Sequence, residues 1–180
     1  MKNYLPHTWS TPNLFAKESL IHGKGVFTKT QIKKGETVMI WGGELIKKDQ
    51  YEAHADQYRE LTVVPVSEDY YLGLPITDTS ESIDEFINHS CDPSCWLTDE
   101  VTVVARQDIG EGEEITIDSA TWNDDESEEY TASGECSCGS SDCRKFIRPD
   151  DWKNPKLQKK YAEHFSPFLE KRISELKNKI

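Results

Sequence analysis

The 180-residue chain has no apolar run approaching the ~20 residues that a membrane-spanning helix requires. Its opening, Met1-Lys2-Asn3-Tyr4-Leu5-Pro6-His7, lacks the apolar stretch of a signal peptide. The expected setting is therefore an intracellular, reducing compartment, cytoplasmic or, in a eukaryote, nuclear. Positive charge is scarce: 21 Lys and Arg stand against 33 Asp and Glu, a formal net charge of −12. Binding nucleic-acid phosphates calls for a basic footprint, so this balance argues against direct nucleic-acid contact. It is compatible with a basic partner drawn in by the field, or with solubility alone. Cysteines number only five, an odd count confined to two loops, which suits a metal better than a disulfide framework. Long helical patterns are few. Short β-branched segments separated by turn residues point to small packed sheets, not to alternating strand and helix.

Two loops carry most of the chemistry. The first is Phe86-Ile87-Asn88-His89-Ser90-Cys91-Asp92-Pro93-Ser94-Cys95, an apolar lead-in that runs into an amide, an imidazole and a thiol before an Asp-Pro turn. Alone, such a stretch is more often a hydrogen-bonded core pair than a site. The second is Cys136-Ser137-Cys138-Gly139-Ser140-Ser141-Asp142-Cys143, three thiols spaced C-x-C-x4-C in a Gly/Ser-rich loop. Three close-set thiolates need a fourth ligand to complete a tetrahedral Zn²⁺ site, and either Cys91 or Cys95 could supply it.

Taken in order, residues 1–13 are a loose, Pro-dotted lead-in. His22-Gly23-Lys24-Gly25-Val26-Phe27 follows, where two glycines one residue apart allow close backbone approach. Ile32-x-x-Gly35-Glu36 is echoed by Ile109-Gly110-Glu111-Gly112-Glu113, and both read as turns between short strands. Residues 47–58 predict a helix of about three turns. Residues 61–66 are strand-like, but Pro65 demotes them to an edge or bulge. Strands are expected over residues 69–74, 101–105 and 114–118. Asn154-Pro155 and Ser166-Pro167 read as helix starts. Leu157, Tyr161, Phe165, Leu169, Ile173, Leu176 and Ile180 then form an apolar stripe suited to docking on the main body. Charge is unevenly placed: residues 152–180 hold eight Lys/Arg and three Glu, whereas residues 113–135 hold nine acidic residues and no basic one. That acidic stretch is a solvated loop or, beside a peptide groove, an attractor for a cationic substrate.

Asn-His-Ser-Cys followed by C-x-C-x4-C resembles a SET-domain protein lysine methyltransferase with its post-SET zinc loop. The order Gly23-Lys24-Gly25, then Trp41-Gly42-Gly43-Glu44, is similar to the first half of such domains. The resemblance implies a mainly β SET fold of small curved sheets with short helices and a threaded, pseudoknot-like C-terminal part. It divides the chain into a SET domain over residues 14–130, a post-SET zinc loop over 131–148 and a C-terminal helical extension over 149–180. It implies structural zinc on Cys91, Cys136, Cys138 and Cys143, with Cys95 free. S-adenosylmethionine is the implied cofactor, contacted by Gly23, Lys24, Gly25, Trp41, Asn88 and His89, with Phe146 near the adenine. A lysine-bearing, basic protein or peptide is the implied substrate.

The departures lie at the reactive centre. Trp41 stands where the family usually has Tyr, Glu85 where it has Arg, and Ser94 where it has Asn. Thr116-Ile117-Asp118-Ser119 places Ser119 at the position usually held by the catalytic Tyr, and Ile117 where the number of methyls added is linked. The chain is thus expected to be a methyltransferase in lineage whose transfer is impaired by Ser119; an active form would borrow Tyr70, Tyr71 or Tyr130, with Tyr71 foremost as a channel wall. The alternatives are a weakly catalytic, cofactor-binding module that recognises a basic segment, or an active lineage silenced by one substitution.

Overall fold

The computed structural model describes residues 2–123 and 134–178. The strands are short, as the sequence predicts, and the ordered elements are β1 (Trp9–Ser10), β2 (Leu14–Glu18), β3 (Lys24–Thr28), β4 (Thr37–Ile40) and β5 (Glu44–Lys47), then α1 (Lys48–Ala53). After these come β6 (Val64–Pro65), β7 (Tyr70–Gly73), β8 (Asn88–His89), β9 (Cys95–Leu97), β10 (Thr102–Ala105) and β11 (Glu114–Ile117). The chain finishes with β12 (Gly134–Glu135), β13 (Phe146–Ile147), α2 (Pro155–Lys160) and α3 (Pro167–Asn178).

Two four-stranded sheets, ordered β1-β4-β10-β9 and β2-β3-β11-β8, enclose the main core, and β5-β7-β6 form a third. In the second sheet the late strand β11 lies between β3 and β8, antiparallel to the first and parallel to the second. A late segment is thereby inserted between two earlier ones, the threaded arrangement that the resemblance implied. Ile115 and Ile117, on the inserted strand, are almost fully buried.

The repeated Ile-x-x-Gly-Glu turns explain how the two large sheets are joined. Ile32 and Ile109 pair with each other, each N–H donating to the other's carbonyl at 2.8–2.9 Å. Gly35 (φ 84°) and Gly112 (φ 79°) occupy the left-handed region that glycine adopts without steric cost. Each turn is closed in the same way, Glu36 accepting from Lys33 N and Glu113 from Gly110 N. The strand that leaves one turn pairs with the strand that enters the other: β4 with β10, and β11 with β3. Two copies of one turn thus build a local pseudo-twofold, not a solenoid.

The helix expected over residues 47–58 is shorter than predicted. α1 stops at Ala53, and a 3₁₀ turn over Ala55–Gln57 follows. Tertiary pairing overrides helix propensity here: Tyr58 bridges Pro75, Arg59 N donates to Leu74 O, and Ile76 N donates to Gln57 O. Pro65 lies on an edge strand, as its missing N–H requires, while residues 60–62 form a 3₁₀ turn and not strand.

The C-terminal segment docks on the body as expected. Asn154 Oδ1 caps Lys156 N ahead of Pro155, and Trp152, Leu157, Tyr161, Phe165, Phe168, Leu169 and Ile173 form a second buried cluster with Ala120. His164 stacks on Trp96 at 3.5 Å and donates from Nδ1 to Leu97 O. The apolar stripe loses its burial at Leu176, and Ile180 lies outside the described residues.

Candidate active site

The site begins with the parallel register of β8 on β11, which sets Asn88 opposite Thr116 and His89 opposite Ile117. Asn88 Nδ2 donates to His22 O and Lys24 O, both at 3.1 Å, and to Glu114 Oε1 at 2.8 Å. One amide therefore holds the Gly-Lys-Gly loop against the inserted strand. Gly23 takes φ 44°, a conformation that suits the turn between β2 and β3. A Cβ at Gly25 would fall 2.1 Å from Glu114 Oε1, so a larger residue there would push that carboxylate off Asn88. The Lys24 side chain points outward, its Nζ 5.3 Å from the Phe86 ring centroid.

His89 is the junction of the site. Ser119 N–H donates to its Nδ1 at 3.1 Å, which leaves the proton of a neutral ring on Nε2, 3.4 Å from Cys91 Sγ. Burial pushes the imidazole below its ordinary pKa, against the raising influence of Asp118, and supports that neutral form. The Ser119 hydroxyl lies 3.2 Å from the same Nδ1.

Two cavities meet at this residue. One, of about 340 Å³, is lined by Ile21, His22, Asn88, His89, Gly134, Glu135, Cys136, Ser137 and Ile147. The other, of about 220 Å³, is lined by Trp41, Leu61, Val64, Asp84, Glu85, Ile87, His89, Ile117, Ser119 and Trp122. Asn88 and His89 thus reach the first cavity, whereas Trp41, Ile117 and Ser119 reach the second. Trp41, expected among the cofactor contacts, instead stands across the second cavity in edge-to-face contact with Trp122. Phe146 is exposed beneath the Arg148 guanidinium, and its neighbour Ile147 lines the first cavity in its place.

The tyrosines do not gather where they were expected. Tyr71 is fully buried in a separate cluster with Ile46, Tyr51 and Val63, edge-on to Tyr51 at 5.1 Å, and lines neither cavity. Alternation along β7 sends Leu72 into the main core and Tyr71 toward α1. Tyr70 packs on the edge of the main core, and Tyr130 lies outside the described residues. The acidic stretch is equally dispersed among its described members: Glu113 closes a turn, Glu114 braces the glycine loop, Asp118 is buried and Glu135 lines the first cavity.

The sulfurs of Cys91, Cys136, Cys138 and Cys143 all lie within 4.8 Å of one another, with Cys91 and Cys136 3.8 Å apart. Tetrahedral zinc with Zn–S bonds near 2.3 Å places its sulfurs about 3.8 Å apart, so this donor set fits the metal. Burial works to raise the Cys138 pKa, but N–H groups of Cys91 and Ser140 bring it down to about 7, toward the thiolate a metal needs. Cys95 belongs elsewhere: it pairs with Ala105 across β9 and β10, is fully buried, and burial drives its thiol up to about 12.

Sequence reasoning passed over the brace behind the site. Fully buried Asp118 receives a two-pronged hydrogen bond from Arg144 at 2.7 and 2.8 Å, plus the Tyr161 hydroxyl at 2.9 Å and Ala120 N at 3.0 Å. Burial alone would raise this carboxyl; the Arg144 guanidinium, helped by the Ala120 N–H, holds it below the ordinary range. Arg144 follows the last zinc-loop cysteine and also donates its backbone N–H to Cys91 Sγ at 3.3 Å. The cation next to Cys143 was the signal. Trp122 had none beyond its closeness to Ser119.

Comparison with known proteins agrees with this geometry. The SET domain family model matches residues 23–118. The chain is 31% identical over 156 residues, 78% of its length, to the putative histone-lysine N-methyltransferase 1 of Plasmodium falciparum (isolate 3D7). It is 33% identical over 139 residues, 72% of its length, to the histone-lysine N-methyltransferase trithorax of Drosophila virilis. It is 30% identical over 160 residues, 69% of its length, to the H3 lysine-9 specific histone-lysine N-methyltransferase KMT1 of Fusarium mangiferae. The matched region spans 2%, 3% and 45% of those three relatives, respectively. With its inserted strand, paired cavities and Asn-His loop, the chain belongs to the SET domain family.

Proposed function

We propose that this chain transfers a methyl group from S-adenosylmethionine to a lysine side chain of a protein, and that the transfer is slow. The observation that carries the reading is His89, which lines both cavities, so that the two meet at one side chain of the Asn-His strand. Transfer from a sulfonium to an amine is an in-line displacement, which favours donor and acceptor entering from opposite sides of a water-excluding wall. The first cavity mixes apolar Ile21 and Ile147 with polar Asn88 and Glu135, which suits a ligand with both a flat base and a polar tail. Bound there, the cofactor supplies the electrophilic methyl. Gly23, Gly25, Asn88 and His89 shape its side of the site; Ser119, Ile117 and Trp41 shape the amine's side. Lys24 and Phe146 serve the cofactor at most through their backbone or on loading, since their side chains face solvent.

The relatives' names point to histone lysines, and a net charge of −12 favours such a basic segment. Structural zinc on Cys91, Cys136, Cys138 and Cys143 closes residues 134–148 over the Asn-His loop, while residues 149–178 brace the described part of the SET domain from behind. Slow turnover rests on Ser119. Its hydroxyl is occupied with His89, and among the described residues no tyrosine lines the second cavity. The same observation favours a second reading, a cofactor-loaded module that recognises a basic segment without turnover. Calorimetric titration with S-adenosylmethionine, followed by labelled-methyl transfer to basic proteins, separates them. Binding with slow transfer supports the enzyme, binding with none supports the module, and absence of cofactor binding overturns both.

A further inference from the structure

The first ten residues precede the stretch matched by the SET domain model, yet their contacts run to the walls of the second cavity. The geometry points to Thr8 as a positioning residue for the incoming lysine: its hydroxyl ties two walls of that cavity together. This rests on the reading that a lysine enters there, and it adds what holds the cavity in shape.

The N-terminal arm lies along β4 and the turn that follows it. Ser10 pairs with Met39 and Trp9 with Ile40, and further on Gly43 N donates to Leu5 O at 2.8 Å. Gly42 permits so close an approach because it has no side chain. A Cβ there would fall 2.2 Å from His7 O, a backbone atom that cannot swing aside. Trp41, one residue earlier, lines the second cavity. Lys2 and Tyr4 both meet Glu100, so the arm is fastened on either side of Thr8.

Thr8 Oγ1 accepts from Gly42 N at 3.1 Å and donates to Asp84 Oδ2 at 2.8 Å. A hydroxyl can serve as donor and acceptor at once, and here it spends its proton on one wall and a lone pair on the other. Asp84 is buried and lines the cavity within the 3₁₀ turn Ile83–Phe86. Ile87 N donates back to Asp84 O at 3.1 Å, and Ile87, another lining residue, leads directly into Asn88 and His89. The arm also reaches this loop through His7 Nε2, 2.9 Å from Asp78 Oδ2. That contact is exposed at the His7 side, where an ion pair contributes little.

The Asp84 carboxylate has two partners, the Ser82 and Thr8 hydroxyls. They use two of its roughly four acceptor sites and leave others for an ammonium in the cavity it lines. Without the Thr8 hydroxyl, Asp84 would keep Ser82 alone, and Gly42 N would lose its acceptor. Both changes fall on the lysine side of the site: neither Thr8, Gly42 nor Asp84 lines the first cavity. A misplacement of about 1 Å remote from the chemistry can cost on the order of 10² in rate, so a tie of this kind matters to a bound amine.

The test compares Thr8→Val, which keeps the side-chain shape and removes the hydroxyl, with Thr8→Ser, which keeps the hydroxyl. Calorimetry on the whole chain follows two ligands, S-adenosylmethionine and an arginine-rich peptide carrying a single lysine. Thr8→Val should weaken the peptide at least about tenfold and the cofactor less than about twofold, and Thr8→Ser should restore the peptide to near its parent affinity. Indole N–H spectra should show the Trp41 signal displaced in Thr8→Val and that of Trp152, in the C-terminal cluster, in place. Equal weakening of both ligands, weakening of neither, or a folded Thr8→Ser that fails to rescue overturns the proposal. Should Thr8→Val not fold, the unaltered chain decides. Peptide should slow hydrogen exchange at the Gly42 amide, because binding to the tied form disfavours its opening, and the cofactor should not. An amide indifferent to the peptide overturns the proposal. A parent chain that binds no lysine peptide sinks the underlying reading and this proposal together, whereas peptide binding indifferent to Thr8→Val sinks this proposal alone.

Discussion

At Ser119 one side chain separates a site that is assembled from one that is equipped. A phenol at this position would bring a hydroxyl and a ring into the second cavity; serine turns its hydroxyl to His89 Nδ1 instead. Loss of one positioned polar group commonly costs on the order of 10²–10³ in rate. Ser119→Tyr should therefore raise methyl transfer to an unmodified lysine peptide by about that factor, as read in a single-turnover assay. Cofactor affinity should change far less, because neither Gly23 nor Asn88 lines the cavity that Ser119 lines. Asp118 is a second residue-scale test. Asp118→Asn leaves Arg144 without its principal counter-charge in a buried position, which should cost about 3–5 kcal/mol in denaturant unfolding. Because the folded-state pKa of Asp118 is depressed, its stabilising contribution is complete above the ordinary carboxylate value near 3.9 and fades as pH falls below it. Unfolding curves of the parent chain should show that loss below about pH 4, and those of Asp118→Asn should show less of it.

At the scale of elements, the metal loop was legible and the surrounding supports were not. Spacing alone left Cys91 and Cys95 as equal candidates for the fourth sulfur. The fold separates them because Asp92-Pro93 turns the chain, which sends Cys95 into β9 and the core while Cys91 stays with the zinc loop. Metal analysis should find one zinc per chain in Cys95→Ser and none retained in Cys91→Ser. Chelation should raise amide hydrogen exchange over residues 134–147, since a structural zinc contributes folding energy directly. Local periodicity located β7, β10 and β11 to within a residue or two, because each is anchored by β-branched or aromatic residues on a buried face. It overran α1, where pairing of residues 57–59 with 74–76 outweighs helix propensity. It could not place Tyr71 either. Which face of a two-sided strand meets the active site depends on register against β5, and no pattern within β7 carries that.

At the scale of the molecule, the C-terminal extension is more than a cover for apolar surface. Residues 152–180 carry net charge +5, and the rest of the chain therefore carries −17. The attraction has specific contact points: Lys160 Nζ donates to Cys91 O at 2.6 Å, Tyr161 donates to Asp118, and Arg172 pairs with Glu68. Ala120 in the second cluster is the neighbour of Ser119, and Ser166 N donates to Thr121 O at 2.7 Å. The tail thus holds the strand end that carries the reactive position, and it holds the zinc-loop cysteine from the same side. Leu169, fully buried at the centre of this cluster, is the place to loosen the contact without touching either cavity. Leu169→Ala should cost about 2–5 kcal/mol in global unfolding, the usual range for a large core residue cut to a methyl. It should also raise hydrogen exchange at Ala120 and Thr121 more than at Val103 and Val104 in the opposite sheet. Equal loosening of both regions would make the extension a general source of stability, with no selective hold on the site.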